Sequence, residues 1–438
     1  MDIGAGAGRE TQDRPNGAFI HPGYRSGFIL VVSLFFIWAI ANNFNDILIR
    51  QFQKALALDR AEAGLIQFVY YIGYFTMALP AGFVMRRFGY RAGIITGLLL
   101  YASGALLFWP AAEVRLYLPF LAALYIIACG AAFLETAANP YVVAFGDPRR
   151  ASQRLNFAHA FNGLGSVLAP ALGGIFIFSG VEHGHEALSS MSPAQLDAFR
   201  AAEAGMVQMP YLILAIVVAL VALAVAFVPL PAVDTSGGAA DSDGKRPGLA
   251  GLLRERGLTR AVVAQFFYIG AQVSLWSFFV DYVKETAPAF SEKQAAFLLS
   301  GSLVLFMLGR FGGAALMTRH SPARMLSIAA ASSIALCALA TVLPGYASVA
   351  ALTLTGLTTA IIFPTIFSLG VRDLGPRASL GASLLIMAIV GGAVLPPLMG
   401  LLSQTGLGLR GSLIVPAVSF AIIALYGWRQ ARRDATAG

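Results

Sequence analysis

The sequence predicts an all-α membrane protein whose twelve transmembrane helices form two six-helix bundles. Three observations lead to this prediction. Of the 438 residues, 58% are hydrophobic and only 12% are charged, whereas soluble proteins average about 25% charged residues. Hydrophobic segments of about 20 residues, the length that crosses a bilayer as a helix, recur along the chain. A polar stretch, TSGGAADSDGKRPG, divides these segments into two groups of six.

The predicted spans begin at Gly27 and end at Trp428. Their bounds are 27–48, 63–85, 92–109, 116–144, 154–179, 209–228, 260–284, 293–317, 323–343, 346–370, 379–402 and 409–428. The resulting domains are a tail at 1–26, a bundle at 27–228, a linker at 229–259, a second bundle at 260–428 and a tail at 429–438.

The distribution of basic residues predicts the orientation. With the amino terminus in the cytoplasm, 21 of the 30 Lys and Arg residues face the cytoplasm, 8 face outwards and Arg310 lies inside a span. This asymmetry follows the positive-inside rule, so both tails are expected in the cytoplasm. Topology explains the net charge of +8, and no nucleic-acid partner is expected. The first 26 residues lack the apolar core and cleavage site of a signal peptide.

The two halves share weak internal similarity, as in a duplicated transporter. The pattern G-x4-P-x3-G starts at Gly165 in span five and again at Gly391 in span eleven. Arginines bracket the loops RRFGYR and RHSPAR at the same spacing, at Arg86, Arg91, Arg319 and Arg324. We expect these arginines to form a conformational latch, although they could simply anchor the topology.

Two carboxylates lie within predicted spans. Asp46 follows three asparagines in the stretch ANNFND, and Glu135 lies deep in YIIACGAAFLETAANP. A central carboxylate costs about 2.5 to 3.5 kcal/mol on insertion, so such residues usually face a bundle interior or a wet cavity. Because burial disfavours a charged carboxylate, Asp46 and Glu135 are expected to exchange protons. Alternatively, each acid hydrogen-bonds a neighbouring helix.

Polar and aromatic side chains recur near these acids at helical spacing. Asn42 lies four residues before Asp46, and Asn139 four residues after Glu135, so each pair shares a helix face. The candidate substrate-binding residues are Asn42, Asn43, Asn139, His159, Asn162, Gln265, Tyr268, Gln272 and Trp276. Amides, hydroxyls and aromatic rings together suit a sugar. The same groups could instead hydrogen-bond between helices.

Long strings of the sequence resemble one family, the fucose/galactose/glucose:proton symporters of the major facilitator superfamily. The resemblance is carried by ANNFNDIL, LETAANP and RLNFAHAFN in the first half, and by AQFFYIGAQVSLWSFF and FPTIFSLGVRDLG in the second. It implies the major facilitator fold, a central sugar site and alternating access. It also implies proton coupling at Asp46 and Glu135 and sugar binding at Asn162.

The chain departs from the fucose branch of this family at two positions. His159 stands where that branch has a glutamine, and Phe363 stands in span ten where it has a tyrosine. Phe363 precedes Pro364, which removes a backbone hydrogen bond and is expected to open the helix locally. We expect His159 to orient sugar hydroxyls and Phe363 to stack on the sugar.

The expected function is import of a monosaccharide, L-fucose-like by this resemblance, driven by the proton gradient and without a cofactor. The protein is expected to act as a monomer in the lipid bilayer of a bacterial inner membrane. Three alternatives stay open: a glucose, galactose, mannose or N-acetylglucosamine symporter, a proton-driven drug antiporter, and a permease-like sensor. No enzyme is expected, because the sequence has no P-loop, nucleophile-elbow or metal-ligand motif, and no catalytic or metal-binding residue is assigned.

Overall fold

The computed structural model describes residues 17–56, 60–176, 191–231, 251–252 and 254–437. Within these ranges the chain forms helices and turns and no β-strand, which confirms the all-α class. The α-helices are α1 Arg25–Leu56, α2 Arg60–Val114, α3 Tyr117–Ala144, α4 Ala151–Phe176, α5 Pro193–Gly205, α6 Gln208–Phe227, α7 Arg256–Ser277, α8 Phe279–Thr286, α9 Glu292–Leu316, α10 Pro322–Val342, α11 Gly345–Thr359, α12 Ile362–Val371, α13 Ala378–Met387, α14 Gly391–Ser403, α15 Gly408–Ser412 and α16 Ile414–Ala437. Short 3-10 helices occupy Pro148–Arg150, Gly375–Arg377 and Ala388–Val390.

The α2 helix contains two membrane passes. Its 55 residues would extend about 80 Å at 1.5 Å per residue, far beyond a hydrocarbon core of about 30 Å. The helix is broken at Gly89, whose φ of 85° and ψ of 167° are not helical. Glycine adopts this backbone conformation without a side-chain clash. The predicted loop between spans two and three is therefore a kink within otherwise continuous helical turns.

Four spans of the second half are interrupted, one of them at Leu413 between α15 and α16. The α7 and α8 helices form one span bent by 52°. The α11 and α12 helices are separated at residues 360 and 361, and α13 and α14 are joined by the 3-10 helix Ala388–Val390. Pro364 lies in the first turn of α12, where an N–H would have no acceptor within the helix. The interruption expected near Pro364 is thus present, and it begins just before Phe363.

The described helices account for twelve passes. Eight helical runs are long and apolar enough to span a membrane, or nine with the α7–α8 pair. Dividing α2 at Gly89 and adding α1 and α4 brings the number to twelve, six before and six after the linker. The α7 helix already begins at Arg256, within the predicted linker, and α16 continues to Ala437, past the predicted end of span twelve. Most of the linker, residues 232–250, lies outside the described ranges.

Close packing at small residues holds each bundle together. The α2 helix packs on α3 and α6, and α1 packs on α4, while α16 packs on α7 and α10 in the second half. A Cβ atom added to Gly130 of α3 would lie 2.5 Å from the backbone nitrogen of Tyr101 in α2. Such close backbone approach is the usual basis of helix association in membranes, where packing replaces the hydrophobic effect.

Buried arginine hydrogen bonds fix the junction between α3 and α4. Arg154, fully buried, donates to the carbonyl groups of Val142, Gly146 and Asp147. These carbonyls lie in the last turn of α3 and just beyond it, where few helical N–H groups are available to pair with them. The Arg149 side chain donates hydrogen bonds to Asp147, which holds the pKa of that carboxyl group well below its usual range. The junction therefore sets the relative position of α3 and α4, which carry most of the candidate site.

The two bundles meet directly on one face of the molecule, termed here the terminal face because it carries residue 17 and the end of α16. The Ser152 and Ser368 hydroxyl groups are 2.6 Å apart. Asn156 donates to the Thr365 hydroxyl group at 3.2 Å. A Cβ atom added to Gly82 of α2 would lie 2.1 Å from Ser383 Oγ of α13. The bundles are therefore closed against each other on the terminal face.

We predict that Gly82→Val opens this contact. Overpacking costs about 1–3 kcal/mol, so a cysteine replacing Ser152 should react about tenfold faster with a water-soluble maleimide in the Gly82→Val background. The two natural cysteines, Cys129 and Cys337, are buried and give little background. The matched control is Gly312→Val, because a Cβ there meets nothing within 4 Å. Equal labelling rates in both backgrounds would contradict the prediction.

Candidate functional site

A buried arginine joins the two bundles at the centre of the candidate site. Arg310 of α9 is 5% exposed and donates to the His159 carbonyl oxygen at 2.7 Å and to Asn162 Oδ1 at 3.0 Å, both on α4. Its guanidinium carbon also lies 4.2 Å from the centre of the Phe306 ring. Hydrogen bonds from a charged donor are stronger than neutral ones, so this contact fixes α9 against α4.

The break between α11 and α12 supplies a third acceptor to this arginine. In a continuous helix the Ala360 carbonyl oxygen would accept a hydrogen bond from the residue four positions later. That residue is Pro364, which has no N–H. The Ala360 oxygen instead accepts a bond from Arg310 Nε at 3.3 Å. The proline therefore gives Arg310 its contact within the second bundle.

A hydrogen-bonded chain connects the Glu135 backbone to His159. The Asn139 amide nitrogen donates to the Glu135 carbonyl oxygen at 2.8 Å, so Asn139 Oδ1 is left as an acceptor. His159 Nε2 lies 2.8 Å from that oxygen and must therefore carry the proton of this bond. The second ring nitrogen of a neutral His159 is then an acceptor. Asn139 and His159 are both buried.

Glu135 itself is 7% exposed. The Tyr74 hydroxyl group and the Arg310 guanidinium both interact with its carboxyl group. A buried carboxylate is strongly destabilised without such partners. We call Glu135, Asn139, His159, Asn162 and Arg310 the central cluster, which combines one acid, one base and one permanent cation.

Aromatic rings surround His159. The His159 ring centre lies 4.9 Å from that of Phe35 on α1 and 5.1 Å from that of Phe363 on α12. Tyr268 of α7 lies 6.4 Å from Phe363 and donates its hydroxyl proton to the Thr359 carbonyl oxygen. Four helices from both bundles thus bring aromatic faces and the imidazole together. Such surfaces stack on the C–H face of a sugar.

The asparagines of α1 extend the polar surface towards the other end of the bundle. Asn42 donates to the Tyr74 hydroxyl group at 3.5 Å, and Tyr70 donates to that same hydroxyl group at 3.3 Å. Asn43 donates to Ser166 of α4 at 3.0 Å. Asn42 and Asn43 therefore lie beyond the central cluster and connect to it through α2 and α4.

Asp46 lies further along α1 than the central cluster. Asn162 donates to the Phe35 carbonyl oxygen, which places Phe35 level with the central cluster. Asp46 is eleven residues further along α1, or about 16 Å of helix rise. Its side chain lies outside the described part of the structure. Asn42, one turn before Asp46, reaches Tyr74, and Tyr74 interacts with Glu135, so Asp46 lies about 6 Å of helix rise beyond that connection.

The remaining predicted residues of α7 lie around the cluster. Trp276 packs edge-on against Phe306 at 5.2 Å, the ring that Arg310 covers. Gln265 is fully buried, and neither its amide nitrogen nor its amide oxygen has a hydrogen-bond partner among the described residues. Each unpaired buried polar group costs about 1–3 kcal/mol. Gln272 is 8% exposed, and among the described residues no hydrogen bond joins its side chain to the central cluster.

Three residues of the candidate site, Arg310, Phe35 and Tyr74, are not among the site residues predicted from the sequence. The sequence places Arg310 inside a predicted span without a role, although a single arginine in an apolar helix is itself a functional signal. Phe35 and Tyr74 gave no signal, because aromatic residues are common in apolar spans. Their contributions depend on which helices are neighbours.

The four predicted latch arginines lie near the terminal face. Arg91 donates to the Ala226 and Val228 carbonyl oxygens at 3.1 and 2.6 Å, at the end of α6. Arg86 is half-buried, while Arg319 and Arg324 are exposed. Arg91 therefore contacts its own bundle.

Comparisons with known proteins agree with the fold. The Major Facilitator Superfamily model matches residues 26–389. The chain is 42% identical to the L-fucose-proton symporter of Escherichia coli K12 over 91% of this chain and 92% of that protein. It is 36% identical to a glucose/galactose transporter of Brucella abortus over 92% of this chain and 93% of that protein. The crystal structure of FucP, a Major Facilitator Superfamily transporter in the outward conformation, is 41% identical, covers 92% of this chain and 98% of its own, and has a TM-score of 0.86.

We predict that Arg310→Lys destabilises the fold. Lysine keeps the charge but cannot reach the carbonyl and amide acceptors with a planar fork. Losing one charge-assisted hydrogen bond should cost about 2 kcal/mol, measured as a lower melting temperature in detergent. The matched control is Arg432→Lys, since Arg432 is exposed on α16. Equal melting temperatures for the two variants would show that the bonds of Arg310 do not support the fold.

Proposed function

The chain belongs to the Major Facilitator Superfamily, and from that premise we propose that it imports a monosaccharide together with protons by alternating access. The observation that carries this proposal is the hydrogen-bonded chain from Glu135 through Asn139 to His159. It links the backbone of Glu135 to an imidazole set among aromatic rings, while the Glu135 carboxyl group interacts with Tyr74 and Arg310. The helix segment that carries the proposed proton site is thereby joined to the proposed sugar site through one amide.

Protonation of Glu135 is the proposed coupling step. An uncharged Glu135 removes a negative charge from the interior before the bundles rock around the sugar, which lowers the cost of closing the site. When Glu135 releases its proton inside the cell, its attraction to Arg310 strengthens and the site resets. We assign Asp46 to an earlier step, proton entry from the outer end of α1.

Sugar binding is proposed to use both the polar groups and the aromatic rings of the site. The free ring nitrogen of His159 and the Asn162 amide would pair with sugar hydroxyl groups, while Phe363 and Tyr268 offer ring surfaces. Asn42, Asn43 and Trp276 would line the approach. A hydrogen bond from Gln265 to a sugar hydroxyl group or to water would explain why its amide has no partner among the described residues.

The membrane gradient supplies sufficient energy. One charge moving down 100 mV is worth about 2.3 kcal/mol, or roughly fifty-fold accumulation before any pH difference is added. We propose that no cofactor or catalytic residue is needed. The protein would act as a monomer in a bacterial inner membrane with both termini in the cytoplasm, which makes the terminal face the cytoplasmic face.

An L-fucose-like sugar is the proposed substrate. The 42% identity to the Escherichia coli L-fucose-proton symporter supports it, whereas the L-fucose-proton symporter of Haemophilus influenzae, at 35%, and the glucose/galactose transporter, at 36%, are equally similar to this chain. If the protein prefers glucose, galactose, mannose or N-acetylglucosamine instead, we propose that His159 and Phe363 determine this preference.

The terminal-face arginines complete the proposal. We propose that Arg86, Arg91, Arg319 and Arg324 bias the bundles between open states from the cytoplasmic loops. Arg91 contacts the end of α6. This contact supports the proposal that Arg91 acts by holding α6 against the α2 kink.

Neutralising either acid should abolish uphill transport. We predict that Asp46→Asn and Glu135→Gln in proteoliposomes fail to accumulate sugar under an imposed pH gradient, and that at least one still exchanges sugar without a gradient, because an amide mimics the neutral, protonated acid but cannot release a proton. The matched control is Glu113→Gln, a carboxylate in an outer segment that accepts a hydrogen bond from Trp109. Full accumulation by both variants would overturn the coupling role, and proton-driven export would favour an antiporter.

Changing the site should reorder sugar preference. We predict that His159→Gln and Phe363→Tyr alter competition among L-fucose, D-galactose, D-glucose, D-mannose and N-acetylglucosamine by about tenfold, because a site that pairs a hydroxyl discriminates against its absence. The matched control is Phe297→Tyr, the same chemical change on the exposed side of α9. An unchanged rank order in both site variants would return His159 to a packing role.

A further inference from the structure

A cavity lies on the terminal face of the second bundle. Its volume is about 530 Å³, and it is enclosed by the start of α7, the end of α12 and the last turns of α16. That size is in the range of small-ligand sites. No residue of the central cluster lines it, so it is separate from the proposed sugar site.

Positive charge dominates the lining. The two acids of the cavity are already paired, Glu255 with Arg377 at 3.1 Å and Asp373 with Arg433 at 3.1 Å. Four further lining arginines make no ion pair with any described residue, namely Arg254, Arg256, Arg260 and Arg429. The cavity thus holds an excess of unpaired guanidinium groups.

Backbone and buried side chains add further hydrogen-bonding capacity. The first residues of α7, Arg256 to Leu258, line the cavity, and their N–H groups have no acceptor within the helix. Glu255 at the N-cap does not bond them with its side chain. Such a helix start attracts anions.

The inner wall of the cavity carries two polar groups of α16. Tyr426 is 4% exposed and Gln430 is 7% exposed. Their side chains interact with each other, yet neither Tyr426 Oη nor Gln430 Oε1 makes a hydrogen bond of normal geometry with a described residue. The Tyr426 hydroxyl group is a donor that can turn from Gln430 towards an anion, whereas Gln430 Oε1 only accepts and would pair with a hydroxyl group of the ligand or with water.

The depth of the cavity matches the lipid headgroup level. Trp428, between Tyr426 and Gln430 in sequence, is 47% exposed, and the Arg432 guanidinium carbon lies 4.4 Å from its ring centre. Exposed tryptophans on membrane helices mark the membrane–water interface. The arginines beside it therefore lie where lipid phosphates are found.

We propose that this cavity binds a phosphate group, supplied by an anionic lipid headgroup or by free phosphate. Arginine guanidinium groups bind phosphate oxygens bidentately, which fits the unpaired Arg254, Arg256 and Arg429. The Tyr426 hydroxyl group and the start of α7 add neutral donors. The α12 helix carries Phe363 at its other end. A ligand in the cavity therefore contacts the span that forms part of the proposed sugar site.

The test uses the purified full chain in nanodiscs of neutral phosphatidylcholine. One arm adds increasing phosphatidylglycerol and the other adds inorganic phosphate at constant ionic strength, and each measures the melting temperature and the apparent Kd. The variants are Arg256→Gln, Arg429→Gln and Tyr426→Phe. The matched control is Arg432→Gln, which removes the same charge from the same helix outside the cavity.

We expect saturable stabilisation of the wild type and of Arg432→Gln. Each arginine variant should weaken the apparent Kd by about tenfold, the effect of one lost charge-assisted hydrogen bond. Saturation by phosphatidylglycerol alone identifies a lipid site, and saturation by inorganic phosphate identifies a soluble anion site. Equal effects of Arg429→Gln and Arg432→Gln, or no saturation in either arm, would overturn the proposal, because a general attraction of basic residues to anionic membranes would then suffice.

Discussion

A guanidinium group buried between two helical bundles must find hydrogen-bond acceptors there, and Arg310 finds them on both sides. From α9 it reaches the His159 carbonyl oxygen and Asn162 Oδ1 in the first bundle and the Ala360 oxygen in the second. The last acceptor is available because Pro364 cannot use it. Burying this charge costs several kcal/mol unless all such bonds form. The register of α4, α9 and the α11–α12 break therefore depends on one side chain.

This constraint also explains how a proton and a sugar could share one site. Arg310 holds α4 so that His159 faces Asn139, and Asn139 is bonded to the Glu135 backbone. A change of charge at Glu135 is then felt by Arg310, and through it by the helices that carry the aromatic rings. Asp46 lies about one helical turn beyond Asn42, which reaches Glu135 through Tyr74. The proposed proton route therefore has two stages.

The terminal face adds a second type of contact between the bundles. Ser152, Asn156 and Gly82 meet the second bundle through short polar groups and close backbone approach. These contacts are small and uncharged, so they are suited to forming and breaking during transport. The four arginines singled out by their repeated spacing lie beside these contacts, and Arg91 binds the end of α6 instead. The repeated arginine spacing in the sequence thus points to the terminal face, and the packing shows which residues close that face.

The sequence alone determined the all-α class, the approximate positions of the twelve spans and the unusual status of Glu135, because the bilayer imposes helix length and a high cost on buried charge. Helical spacing also placed Asn139 near Glu135 and put His159 and Asn162 on one face of α4. Only the tertiary structure decided that Arg310 bonds α4, that Phe35 and Phe363 flank His159, and that Gln265 finds no hydrogen-bond partner among the described residues. The physical reason is that spacing within one helix is fixed by its geometry, whereas partners on different helices depend on rotation, depth and breaks such as the one before Pro364.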